Sequence, residues 1–209
     1  MVAVAQQSLR ESILQIDRPH FQLICTGFRL NIMCFFTAHR RFDKSLGDEF
    51  TSFINWTGFR QIDELVSADT MMCPNLVTEL VDKDWKHNVH ADNRVFWFRD
   101  LDYLMERIEF NPRVHNILSL SRMRTAPGVV ADQFEFCGYD ILDSYESLSV
   151  LTNCGGFPGV FDSSEVNRYA LVDDRVRADD IAERLRDSNP DCPHCRHCSV
   201  WSVARYAHV

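Results

Sequence analysis

The spacing of apolar residues predicts two short amphipathic helices in the first third of the chain, between residues 46 and 70. The apolar positions fall on one helical face in each segment. They are Phe50, Phe53 and Ile54 in the first helix, and Ile62, Leu65 and Val66 in the second. Pro74 is followed by a third short helical pattern over residues 75–81. This part of the chain is therefore predicted to be helical.

A strand followed directly by a helix is predicted near residue 100. Val95–Phe98 is a run of aromatic and β-branched side chains, which is typical of a strand. Asp100 follows as an N-cap for a helix whose apolar residues repeat at helical spacing. Further strands are predicted at residues 114–120 and 133–142, and the Ala126-Pro127-Gly128 turn between them favours a hairpin.

The last 40 residues predict one more helix and a final strand. Apolar residues at helical spacing mark the helix, namely Ala178, Ile181, Ala182 and Leu185. Asn189-Pro190 ends it, and residues 200–206 alternate as a strand does. Since the elements show no regular βαβ order, the fold class predicted is α+β, a single domain with a mixed, largely antiparallel sheet flanked by helices. We expect this domain to span residues 21–209, after a mobile N-terminal arm at residues 1–20.

The charge of the chain limits its partners. The 209 residues carry a formal net charge of −8 and have a pI of about 5.4. A molecule of this charge repels phosphate backbones and anionic lipid, so neither nucleic acid nor a membrane is expected as a partner. The start of the chain lacks the pattern of a secretion signal, so a cytoplasmic location is expected. The oligomeric state stays open.

Five residues near the end of the chain form the strongest metal-like cluster. They are Cys192, His194, Cys195, His197 and Cys198. A Cys-x-x-Cys pair places two thiolates on one zinc ion, and a third cysteine or a histidine adds a further ligand. Zinc is therefore a candidate cofactor, and an ordinary turn leading into the last strand is the alternative. The five other cysteines are expected to be reduced and mostly buried.

The Cys192-Pro193-His194-Cys195 segment also resembles the redox motif of thioredoxin-superfamily disulfide oxidants. In those proteins a thiolate with a lowered pKa drives disulfide exchange. They place the motif after a buried strand, with most of the fold downstream. Here Ser188-Asn189-Pro190-Asp191 precedes the motif and only 14 residues follow Cys195, so this context argues against that fold.

A second cysteine candidate lies in the loop at residues 151–159. Cys154 precedes two adjacent glycines, which permit a positive φ or a close backbone approach. A nucleophilic Cys154 requires a histidine close by in space, and the alternative is a tight structural turn. Asp140 and Asp143 are candidates for paired carboxylates, although their spacing is also ordinary for the end of a strand.

Two segments resemble a group of small bacterial proteins of unknown function. They are residues 136–143, with the sequence FCGYDILD, and residues 151–157, with the sequence LTNCGGF. The resemblance covers about the last 75 residues. It implies a bacterial, cytosolic setting and a general likeness to toxin-neutralising, immunity-like and other partner-binding proteins.

Binding to another protein is the function predicted first. Small acidic proteins often meet basic partners through complementary charge. The candidate surface consists of four acidic residues around the start of the last helix, Asp173, Asp174, Asp179 and Asp180. A solvated helix face is the alternative for these residues. The alternative function is a metal- or cysteine-dependent enzyme that uses Cys154 or the Cys192 to Cys198 cluster.

Overall fold

The computed structural model describes residues 34–69, 72–77, 89–92, 95–122, 133–152 and 160–207. All of them belong to one unit, residues 34–209. The predicted N-terminal arm at residues 1–20 and the predicted turn at residues 126–128 lie outside the described residues.

Eight strands and three α-helices are present in the described part of the chain. The strands are β1 (Cys34–Arg40), β2 (Phe42–Asp43), β3 (Glu64–Leu65), β4 (Val89–Asp92), β5 (Val95–Phe98), β6 (His115–Ser121), β7 (Phe134–Leu142) and β8 (Ser199–Tyr206). The helices are α1 (Asp48–Thr57), α2 (Leu101–Met105) and α3 (Arg175–Ser188), with 3-10 turns at Lys44–Leu46 and Ser163–Glu165. Six strands form one sheet in the order β4-β5-β1-β6-β8-β7, and β2 pairs with β3.

The predicted α+β class is confirmed, because every described strand pairing is antiparallel and helices flank the sheet. Helix α2 packs against β1 and β5, and α3 packs against β7 and β8. The predicted cap of α2 is also confirmed, since the Asp100 carboxylate accepts a hydrogen bond of 2.8 Å from the Tyr103 N–H. Helix α3 buries its predicted stripe of Ala178, Ile181, Ala182 and Leu185.

The hairpin predicted between residues 114 and 142 is wrong. β6 and β7 both exist, but β8 lies between them and pairs with each. β8 begins more than 50 residues after β7 ends, yet it occupies the position beside β6 that the hairpin prediction gave to β7.

The helix predicted around Ile62, Leu65 and Val66 is also wrong. This segment is extended, and its backbone bonds to residues that follow β7. The N–H of Glu64 donates to the Arg168 carbonyl at 3.3 Å, and that of Val66 to the Tyr169 carbonyl at 3.1 Å. Tertiary pairing thus overrides a local helical pattern.

The helix predicted over residues 75–81 is wrong where it is described. Asn75 forms an antiparallel bridge with His39, and the Leu76 N–H donates to the Ala38 carbonyl at 2.9 Å. Asn75 and Leu76 therefore pair with β1 and are not helical. Residues 78–81 lie outside the described part.

A buried carboxylate in β3 ties this strand to the six-stranded sheet. Glu64 is 4% exposed, and Arg41 binds it through two nitrogens at 2.9 and 2.6 Å. Asn116 in β6 donates to Glu64 at 2.6 Å, and Arg205 in β8 donates at 2.9 Å. The interior charge is thus neutralised by two guanidiniums and fully hydrogen-bonded, which a buried ion requires.

No helix in the described ranges combines the length and the apolar character that a membrane span requires.

The substitution Glu64→Gln tests how much the contact between Glu64 and its two arginines contributes to stability. The change leaves two half-buried guanidiniums without their shared anion, so we expect the free energy of unfolding to fall by about 3 kcal/mol. Urea denaturation followed by circular dichroism measures it. The matched control is Asp63→Asn at the adjacent residue, whose ion pairs with Lys44 and Arg168 lie at the surface. This control is expected to change little, and an equal loss in both variants would contradict the assignment.

Candidate functional site

The candidate site is the turn between α3 and β8, which contains Cys192, Cys195 and Cys198. The Cys192 carbonyl accepts hydrogen bonds from the N–H groups of Cys195 at 3.2 Å and Arg196 at 3.1 Å. The Cys198 N–H donates to the Cys195 carbonyl at 3.1 Å. We call residues 192–198 the cysteine turn.

The cysteine turn is fastened to a second turn that follows β7. Ser144 donates its N–H to the His194 carbonyl at 2.9 Å, and its hydroxyl accepts the His197 N–H at 3.0 Å. The carboxylate of Asp143 is 1% exposed and lies 3.0 Å from Nδ1 of His194. These contacts hold the cysteine turn against the turn that follows β7.

Asp143 also sets the orientation of the His194 ring. A carboxylate accepts hydrogen bonds, so Nδ1 of His194 is the donor in this contact and Nε2 is the acceptor of the neutral ring. The other Asp143 oxygen accepts the N–H groups of Ser147 at 2.9 Å and Leu148 at 3.2 Å. Tyr145 packs edge-on against the imidazole, with ring centroids 5.7 Å apart.

Cys192 has the electrostatic setting of a reactive thiol. Partial burial raises the pKa of Cys192, but three hydrogen bonds outweigh it, from the Cys195 thiol and from the N–H groups of Cys195 and His194. The net shift of its pKa is downward. A larger share of Cys192 is therefore thiolate near neutral pH, and the thiolate is the nucleophilic form.

Other described cysteines lie in settings that favour the thiol. Burial raises the pKa of Cys137 to about 11 and that of Cys73 well above its ordinary value. Burial also raises the pKa of Cys198, although Arg186 opposes the shift. Within the cysteine turn, Cys192 is half-buried while Cys195 and Cys198 are buried. The turn thus combines one partly accessible thiol with two buried ones.

The cysteine turn does not assemble the candidate zinc site. Cys195 and Cys198 point into the core beside α3, while His194 binds Asp143 and His197 is exposed. Across the described residues, no three His, Cys, Asp or Glu side chains are placed so that they could hold a metal ion. The two histidines lie apart from the cysteines, since His194 is bound to Asp143 and His197 is exposed, whereas the three cysteines lie in or against the core.

Three other residues were candidates from the sequence, namely Cys154, Asp140 and Asp143. Cys154 lies outside the described residues, so its proposed reactivity stays a prediction. Asp140 and Asp143 do not act as a pair, since each has its own partners. Asp140 is fully buried and accepts hydrogen bonds from Ser67 at 2.7 Å, Ser149 at 2.6 Å and the Ile141 N–H at 2.8 Å.

The four acidic residues of the candidate binding surface are engaged in local contacts. Asp174 caps α3, and Asp173 accepts a hydrogen bond of 2.6 Å from Asn167. Asp179 pairs with Arg175 at 2.9 Å, and Asp180 pairs with Arg177. Helix α3 carries four arginines and four acidic residues, so its charges balance. The geometry favours the solvated helix face, and protein binding through these residues stays a prediction.

Comparisons of the chain with protein-family models, with curated proteins and with solved structures give no match. The predicted likeness to small bacterial proteins therefore stays a prediction, as does the cytoplasmic location.

Sequence reasoning found the cysteines of this site but missed what holds them. Asp143 and His194 are 51 residues apart in the chain, and Ser144 and His197 are 53 apart. The available signal was weak: a polar Asp143-Ser144-Tyr145 segment directly after a strand, and a turn that contains two histidines.

The pH dependence of stability tests the setting of Asp140. Burial raises the pKa of Asp140 to about 6, against hydrogen bonds from Ser149, Ser67 and Ile141 that lower it. Because this folded-state pKa is above the unfolded one, its contribution to stability is full below pH 4 and is lost as the pH rises through 6. Relative to Asp140→Asn, the wild type should lose about 3 kcal/mol between pH 3 and pH 7. Denaturation curves of both proteins across this range measure the difference, and a pH-independent difference would contradict the assignment.

Proposed function

We propose that Cys192 and Cys195 form a redox-active dithiol that exchanges electrons with a partner disulfide. The observation that carries the proposal is the geometry of their turn. Residues three apart in a turn have Cα atoms less than about 7 Å apart, and disulfides span about 4.4–6.8 Å. The Cys195 side chain is also among the groups that lower the pKa of Cys192, as a neighbouring thiol does.

The exchange proceeds in two balanced steps. The Cys192 thiolate attacks one sulfur of the partner disulfide, forms a mixed disulfide and releases the other sulfur as a thiolate, which takes up a proton. Cys195 then loses its proton and attacks the Cys192 sulfur. This step closes the Cys192–Cys195 disulfide and releases the second partner thiol. The protein dithiol is oxidised by two electrons and the partner disulfide is reduced to two thiols; the reverse direction delivers a disulfide to a partner dithiol.

The different burial of the two thiols supports this order of attack. Cys192 is half-buried and has the lowered pKa, so it is the sulfur that a partner reaches. Cys195 is completely buried and stays protected until a mixed disulfide has formed beside it. Asp143 and Ser144 act as positioning residues, because they hold the backbone of the turn that presents both thiols.

Redox titration tests the dithiol directly. The protein is equilibrated in glutathione buffers of graded potential with a chelator present, and the thiols are then alkylated and identified by mass spectrometry. We expect a reversible Cys192–Cys195 disulfide with a midpoint between about −270 and −120 mV, the range of dithiol oxidoreductases. We expect Cys195→Ser to accumulate a Cys192–glutathione mixed disulfide, because the resolving thiol is missing.

Two controls make this test specific. Cys198→Ala should leave the midpoint nearly unchanged, whereas Cys192→Ser should abolish oxidation of the turn. A folded wild-type protein that forms no Cys192–Cys195 disulfide in oxidised glutathione would contradict the proposal. One zinc ion per chain by elemental analysis, lost in Cys195→Ser, would instead favour the structural metal site.

We further propose that the electron partner is a protein, in keeping with the partner-binding role predicted from the sequence. The supporting observation is Tyr145, an aromatic side chain that is 47% exposed and packs on His194 beside the dithiol. Tyrosine is enriched at protein interfaces because an apolar ring and a polar hydroxyl act together.

The variant Tyr145→Ala tests for a protein partner. We expect the rate of exchange with a folded protein disulfide to fall by about tenfold, since truncation of an interface aromatic often costs more than 1 kcal/mol. The rate with oxidised glutathione should change little, because a small disulfide needs no interface. Val176→Ala, an exposed apolar residue at the start of α3, is the matched control. Equal losses with both disulfides would contradict the interface and leave the dithiol itself intact.

A further inference from the structure

A charged cleft lies between α3 and the start of β8. It has a volume of about 590 Å³, and three arginines line it, Arg122, Arg175 and Arg186. Two carboxylates, those of Asp179 and Glu183, line it as well. A cleft of this volume is within the usual size of small-molecule sites, about 300–1,000 Å³.

Two of the arginines are anchored on consecutive residues of the chain. Arg122 donates to the Ser199 hydroxyl at 2.9 Å, and Arg186 donates to the Cys198 carbonyl at 3.0 Å. Because Cys198 and Ser199 are neighbours, the two guanidiniums are brought to the same part of the cleft. They come from different elements, Arg122 from the end of β6 and Arg186 from α3.

The anchoring of Arg122 fixes its plane. Its guanidinium lies over the Trp201 ring, 4.9 Å from the centroid, and it pairs with Glu146 on one side. Within the described residues, its buried Nε has no hydrogen-bond partner. A guanidinium held by an aromatic face and by two side-chain oxygens loses little further freedom when it binds a ligand.

The charge of Arg186 is not neutralised by its anchor. A backbone carbonyl accepts its hydrogen bond, so the contact orients the guanidinium without cancelling its charge. Arg175 differs, because it pairs with Asp179 at 2.9 Å. Arg186 is therefore the arginine of the cleft whose guanidinium is held by a backbone carbonyl, whereas Glu146 offsets the charge of Arg122.

We infer that this cleft binds a small molecule through one oxyanion group, a phosphate or a carboxylate, held between Arg122 and Arg186. Guanidinium groups present N–H donors in a planar fork that matches both kinds of oxyanion. Asp179 and Glu183 on the α3 side repel additional negative charge, so the ligand carries a single oxyanion group and is not a polyanion. The site uses none of the dithiol chemistry and does not depend on it.

The two sources of the oxyanion are distinguished by titration. The wild-type protein is labelled with ¹⁵N, and its arginine Nε–H signals are followed by NMR while inorganic phosphate or acetate is added at constant ionic strength. We expect saturable shifts of the Arg122 and Arg186 signals. Saturation with phosphate alone identifies a phosphate ligand, saturation with acetate alone a carboxylate ligand, and saturation with both supports the shared oxyanion site.

Variants on α3 decide whether the cleft is the site. Arg186→Gln should raise the dissociation constant about tenfold or more, since it removes a charge-assisted contact. Arg186→Lys keeps the charge but loses the fork, so a smaller loss is expected. The matched control is Arg184→Gln, whose guanidinium faces Asp180 and Glu165 outside the cleft and which should bind as the wild type does. Linear, unsaturable shifts with both anions, or equal weakening in the Arg184 variant, would overturn the inference.

Discussion

Glu64 carries its carboxylate in the interior and receives hydrogen bonds from Arg41, Asn116 and Arg205. A buried ion is tolerated only when its partners are in place, so the Glu64 contacts hold β3 against β6 and β8. That position places the residues after Glu64 against the sheet, where Ser67 donates to Asp140. In this segment these tertiary contacts form in place of the helix that the local apolar spacing predicted.

Other polar side chains on the same face of the sheet also need hydrogen-bond partners from the segment that follows β3. His39 is fully buried; burial lowers its pKa to about 4, although its hydrogen bond to the Cys73 carbonyl opposes the shift. The ring is therefore neutral at pH 7, with Thr37 at 2.8 Å on its other nitrogen. Asp140 is held by hydroxyls in a similar way. Polar side chains on a buried sheet face lower the stability of the fold unless each is hydrogen-bonded. Ser67 and Cys73, which follow β3, supply such bonds to Asp140 and His39.

Features that depend on neighbours in sequence were predictable, and those that depend on distant pairing were not. The helix α3 and the Asp100 cap follow from side chains within four residues of one another, so apolar spacing and capping chemistry suffice. The place of β8 between β6 and β7 depends on pairing between segments that no local pattern encodes. At the candidate site, Cys192 and Cys195 were recognisable because they are close in sequence. Asp143, which orients His194, was not, since only the fold brings its strand end to the cysteine turn.

The cysteine turn and the arginine-lined cleft meet at one seam, where α3 ends and β8 begins. Cys198 belongs to both: its carbonyl orients Arg186, and its thiol is buried against the Ala182 carbonyl, 3.7 Å away. The turn leads directly into β8, which is paired on both sides, and is held by Asp143 and Ser144, so contacts constrain its backbone at both places. Rigid support of this kind is what a polar or reactive side chain at the surface requires, because precise geometry depends on the shell around it. The placement of the side chains at this seam therefore follows from the insertion of β8 between β6 and β7, which fixes the residues just before that strand.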